Sequence, residues 1–143
     1  MNDRLERIAD QISGALLRMD ADVDRTPQGF WLVKQGSTVV VLSLVQDGER
    51  VFVRMAALLL AGVSPQLDLV TRLLRLNAEV VLGAFQIFED DTVAFTHTLL
   101  ADPLDAAAFT HALGYVARVG DDHDEDLQAF AGGRRAEDLL ENA

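Results

Sequence analysis

Six consecutive residues, Asp121-Asp122-His123-Asp124-Glu125-Asp126, form the densest set of metal-ligating and acid–base groups in the chain. On a helix, Asp122 and Asp126 share a face, with His123 one position round. A calcium loop needs Gly at its sixth position and Glu at its twelfth, and this run has neither. A solvated acidic segment interrupting a helix is the simpler reading. His97 lies in an apolar alternation and His111 beside core positions of a helix. No motif sets a Ser, Cys or carboxylate beside either to make a nucleophile–base pair. Glu89, Asp90 and Asp91 are explained by turn chemistry. Gly36-Ser37-Thr38 lacks the Lys and the preceding Gly of a phosphate loop. Gly132-Gly133-Arg134-Arg135 has the parts of an anion site, but a helix stop with a basic flank accounts for them. No catalytic residue, metal or cofactor is assigned. A metal-dependent hydrolase centred on His123 stands as the remote alternative.

The scaffold that must position these groups is one domain of 143 residues, half of them hydrophobic. The chain has no Cys, which excludes a disulfide framework, a thiol nucleophile and Cys-ligated zinc, and fits a cytoplasmic setting. Its start, MNDRLERIAD, is charged and helical in pattern, unlike a signal peptide. The longest apolar run, Met55 to Val63, is far short of the roughly 20 residues that span a bilayer. A net charge of −11 argues against a nucleic-acid partner and allows a basic protein or peptide.

Leu73 to Leu100 organises the rest. A helix closes at Leu73, Leu74 and Leu76, with Asn77 placed for a left-handed cap. Two strands, 81–88 and 92–99, then flank the acidic turn. Upstream, Leu5, Ile8, Ile12, Leu16 and Met19 predict a helix over 2–19. Asp20 to Gln28 reads as a polar connection. The period then changes to two, predicting strands over 30–34, 38–45 and 49–57. Residues 58–63 lead out of the sheet. Ser64-Pro65 reads as a helix N-cap and first turn. Asp102-Pro103 opens the last helix, Gly120 interrupts it and Gly132-Gly133 ends it. Residues 1–133 form the domain, and 134–143 a charged tail with a weak helical pattern.

The predicted architecture is α+β: a single antiparallel sheet of about five strands between terminal helices, in the order α-β-β-β-α-β-β-α. One sheet face collects Val51, Val53, Met55, Phe85, Ile87, Val93, Phe95 and Leu99, interrupted only by His97, and should lie under the terminal helices. The other face is mixed, with Phe52, Arg54, Gln86 and Phe88, and needs a cover. Strand 38–45 is apolar on both sides. Partner contacts are expected at Val40, Leu42, Phe52, Arg54 and Phe88. The Pro65 helix is apolar over a wide arc, so a dimer contact is expected at Leu69 and Leu73.

The paired strands GSTVVV (36–41) and ERVFVR (49–54), LLRLN (73–77), GAFQIFEDDTVAFTHTLL (83–100) and the last helix resemble the YbjN-like family, whose fold is similar to class I chaperones of type III secretion. The resemblance implies a non-catalytic, frequently homodimeric peptide-binding protein that holds an extended client segment. It carries over no catalytic residue. A regulatory or adaptor module binding one folded partner is the competing reading.

Overall fold

The computed structural model describes residues 3–131 and the backbone of 134–135. Helix α1, Asp3–Arg18, buries Ile8, Ile12, Ala15 and Leu16, which recur at helical spacing. Strands β1 (Asp22–Arg25), β2 (Trp31–Gln35), β3 (Thr38–Asp47) and β4 (Arg50–Ala61) follow. Then come helix α2 (Leu67–Asn77), strands β5 (Ala84–Ile87) and β6 (Val93–Leu100), and the long helix α3 (Ala106–Ala131). A two-residue strand β7, Arg134–Arg135, pairs with Leu60 and Ala61 of β4. The six longer strands form one antiparallel sheet in the order β1-β2-β3-β4-β6-β5.

The terminal helices share one side of this sheet. The Trp31 indole N–H donates to Ser13 Oγ of α1 at 3.0 Å. Gly120 of α3 sits so close to the sheet that an added Cβ would lie 2.9 Å from both Ala57 Cβ and Thr38 Cγ2. Alternation and register then put Trp31, Val40, Leu42, Met55 and Phe95 on the helix side, and each is buried. Fully burying one such side chain is worth about 1.5–3 kcal/mol, so this layer holds the fold together. Outside the layer, Arg4 and Arg7 of α1 reach Asp102 at 2.8 and 3.3 Å, tying α1 to the segment before α3. The Arg4 hydrogen bond is the main reason that the Asp102 pKa lies below its ordinary value.

Several expectations need correction. The segment 20–28 contains β1, whose sequence Asp-Val-Asp-Arg has one apolar residue and no visible alternation. β4 continues to Ala61 because a register shift between Leu58 and Leu60 absorbs one residue. That bulge accounts for the run Leu58-Leu59-Leu60, which breaks a strict two-residue period. α2 begins at Leu67, not at Ser64-Pro65; Gln66 occupies the cap position in extended conformation and makes no side-chain cap bond. The cap at the other end is Ala78 in right-handed conformation, not a left-handed Asn77. The last helix starts at Ala106, after Asp105, whose Oδ1 accepts the Ala108 N–H at 3.0 Å. Gly120 does not interrupt it: α3 runs unbroken to Ala131. The expected stop at Gly132-Gly133 and the helical pattern of 136–143 lie outside the described residues, while Arg134–Arg135 return to the sheet.

The two glycines of α3 predict opposite responses. Gly120→Val should destabilise by about 1–3 kcal/mol through overpacking against Thr38 and Ala57. At Gly114 an added Cβ meets nothing within 4 Å, so Gly114→Ala should stabilise by up to ~1 kcal/mol through helix propensity. Urea unfolding of the two variants checks both signs.

Candidate interaction surface

With α1 and α3 on one side, the opposite side of the sheet is defined residue by residue. Register aligns Val45, Phe52 and Leu100 in one row across β3, β4 and β6, and Ser43, Arg54 and Thr98 in the next. Further along, Val41, Ala56, Thr96 and Ala84 form a row of small and β-branched side chains, followed by Val39, Leu58, Ala94 and Gln86; Val39, Ala56, Ala94 and Thr96 are buried, so the exposed part of this side is the Phe52 end. The row at Phe52 is partly exposed throughout, and Arg54 is exposed, with its Nε 3.4 Å from Thr98 Oγ1. This is an apolar strip with a cation beside it on a rigid sheet.

α2 does not cover this surface. Its end is pinned to the β5 edge: Asn77 Oδ1 accepts the Phe85 N–H at 2.6 Å and Asn77 Nδ2 donates to the Phe85 carbonyl at 3.3 Å. These bonds satisfy backbone groups that an edge strand would otherwise leave open. The Arg72 guanidinium stacks over Phe130 of α3 at 5.1 Å, so α2 belongs to the helix layer. Among the described residues the opposite edge, β1, pairs only with β2. Its charged residues include Asp24, which Lys34 of β2 approaches at 3.4 Å.

The residues expected to contact a partner are divided by this geometry. Phe52 and Arg54 are adjacent on the open side. Phe88 also follows the open-side alternation, but at the far end of the sheet, where its N–H donates to the Thr92 carbonyl. Thr92 and Leu100, the neighbour of Phe52, are eight positions apart on one nearly straight segment. At about 3.3 Å per residue, the two aromatic rings are therefore roughly 25 Å apart along the strands. Val40 and Leu42 are fully buried beneath the helices and are core residues, not contact residues, as the chain is folded here. The apolar run of β3 hid this, because both of its faces look alike in sequence. Leu69 and Leu73 are also buried, 2% and 3% exposed, against this chain's own core. The outward leucines of α2 are Leu67 and Leu74.

The candidate chemical groups are scattered or structural. Ser37 Oγ lies 2.9 Å from Asp121 Oδ1 and 2.6 Å from Asp124 Oδ2, and the Ser37 N–H donates to Asp121 at 3.2 Å. Two carboxylates of the acidic run thus anchor the β2–β3 turn to α3. Asp122 and Asp126 are exposed. Among the described residues no group of three or more His, Cys, Asp or Glu is disposed to hold a metal ion. His123 instead meets the Phe85 ring edge-on at 5.5 Å. Asp90 Oδ1 accepts the Thr92 N–H at 3.1 Å, and Asp91 has a φ of 62°, as a tight turn requires. Trp31 is a core residue under the Arg25 guanidinium, 4.1 Å from its ring centre.

The protein is thus a single antiparallel sheet with α1 and α3 on one side and the partly exposed Phe52 row on the other. Residues 3–139 match the family model described as "TY-Chap1: T3SS (YopN, CesT) and YbjN peptide-binding chaperone 1". The chain belongs to this family of peptide-binding chaperones. No curated protein matches it. Among the described residues, no helix is long and apolar enough to cross a membrane.

His97 supplies a pH test of the face assignment. It pairs across from Met55 on the helix side, and burial lowers its pKa below the ordinary 6.5. Protonation therefore favours the unfolded chain. The stability that His97 contributes is present above pH 6.5 and is lost as pH falls below it through the folded-state value. His97→Gln should flatten the pH dependence of the urea midpoint below pH 6.5. Identical slopes in the two proteins would place His97 in water.

Proposed function

We propose that this protein is a cytoplasmic, homodimeric chaperone that holds an extended segment of a client protein against the open side of its sheet. The observation that carries the proposal is the partly exposed apolar row Val45–Phe52–Leu100, which no helix of the described residues covers and which Arg54 flanks. Exposed apolar strips rimmed by polar residues mark interaction surfaces. Membership of a peptide-binding chaperone family agrees with that reading.

The geometry supports a client that is extended rather than folded. Apolar side chains on one side of the segment rest on the Phe52 row. To touch Phe88 as well, the segment must cover roughly 25 Å, about eight extended residues. The long-range field of a chain with net charge −11 draws in basic segments, while Arg54 offers one local site for a carboxylate.

Peptides selected from a random 15-residue display library against the wild-type protein provide the test. Phe52→Asp should weaken their binding by about tenfold or more, as loss of an aromatic anchor does, without moving the melting temperature by more than a few degrees. Leu42→Asp should unfold the protein, because it buries an unpaired charge in the core. Peptides bound equally well by Phe52→Asp would sink the open-sheet site. A natural partner that stays compact and protease-resistant when bound would favour an adaptor that recognises a folded protein.

A further inference from the structure

The Ser37 hydroxyl lies against two carboxylates at once, 2.9 Å from Asp121 Oδ1 and 2.6 Å from Asp124 Oδ2. It has one proton and donates to one of them. Asp121 Oδ1 already accepts the Ser37 N–H at 3.2 Å, so the shorter contact, to Asp124, takes the hydroxyl proton. The remaining contact, between the Ser37 and Asp121 oxygens, has no proton of its own.

Asp124 adds a second deficit. It is 3% exposed, and its Oδ1 is buried without a hydrogen-bond partner. Thr38, 1% exposed, has a buried Oγ1 that is equally unmatched. The two oxygens are directed to the same place. Thr38 Oγ1 lies 3.5 Å from where a Cβ on Gly120 would stand. Asp124 follows Gly120 by one turn on the same face of α3, and helical side chains lean toward the N-terminus, back over that turn. A buried carboxylate needs a counter-charge or a full set of hydrogen bonds. Among the described residues no lysine or arginine is ion-paired with Asp121 or Asp124.

We propose that Asp121, Asp124 and Ser37 bind a magnesium ion that ties the β2–β3 turn to α3. All three ligands are hard oxygen donors. In an octahedron with bonds of 2.0–2.1 Å, neighbouring ligands are about 2.9 Å apart, close to both separations from Ser37 Oγ. Magnesium keeps several waters and is commonly held by only one or two carboxylates, so a hydroxyl serves where a third carboxylate is absent. Asp121 is exposed, which leaves that side open for the waters. On the buried side, a water on the ion meets Asp124 Oδ1 and Thr38 Oγ1 and orients the ligand carboxylate. The exposed carboxylates of Asp122 and Asp126 add negative potential around the opening. This site is independent of the proposed client surface.

Isothermal titration of the full chain with magnesium chloride, after treatment with a chelator, tests the proposal. Wild type should take up one ion per chain. Asp124→Asn should weaken uptake by about tenfold or more. Asp122→Asn and Asp126→Asn remove the same charge beside the site and should change it by no more than about twofold, since exposed charges act weakly through water. Thermal unfolding separates an ion site from a plain hydrogen bond. In chelator, Asp124→Asn should melt at or above the wild-type temperature, because it removes an unmatched buried charge. With magnesium about 100-fold above its dissociation constant, wild type should gain ~5 °C or more and the variant should not. No saturable uptake by wild type, or uptake that Asp124→Asn and Asp122→Asn reduce equally, would overturn the site. So would an Asp124→Asn variant destabilised by the same amount with and without magnesium, the mark of a structural hydrogen bond alone.

Discussion

The contact between Gly120 and the sheet governs the architecture. Any side chain at that position would meet Ala57 and Thr38 at under 3 Å, so only glycine lets α3 lie this close to β3 and β4. Within the next turn, Asp121 and Asp124 grip Ser37 and hold the β2–β3 turn against the same helix. The interior is consequently concentrated between α3 and one side of the sheet. Among the described residues no helix lies on the other side, which carries the proposed client contact. Stability and binding are thus assigned to opposite sides of the same strands.

Much of this was legible in sequence, for identifiable reasons. Strict alternation in β4, β5 and β6 sorted Val53, Met55, Phe85 and Phe95 to one side and Phe52 and Arg54 to the other. The helical spacing of Ile8, Ile12 and Leu16 located α1. β3 is ambiguous in sequence, because valine or leucine stands on both of its sides. Only the three-dimensional register with Ala57 and Met55 assigns Val40 and Leu42 to the core. β1 was invisible because its strand state comes from pairing with β2, not from its own composition. Gly120 misled because a helical glycine is ordinarily a weakness. Its use here is a close approach from 63 residues away in the chain, at Ala57.

α2 illustrates a different limit. A wide apolar arc announced a helix with two contacts, yet gave no way to tell which leucines face inward. Asn77 was recognised as special, but its task is to satisfy the backbone of Phe85 rather than to cap its own helix. A side chain of the same type suits both roles, and sequence position alone does not separate them. Both cases concern polar or apolar groups whose partners lie in another element, which local pattern does not encode.

The character of β1 has a consequence for how such a surface survives in a crowded solution. A sheet with a partly exposed apolar side is prone to stacking and to lateral growth into fibres. Here the free lateral edge is four residues long and reads Asp-Val-Asp-Arg. Short, charged edges oppose strand-by-strand addition of like molecules, since each added copy would align its own charges against those already present. The protein can therefore keep one sticky surface available while denying polymerisation the row of open backbone groups on which it would start.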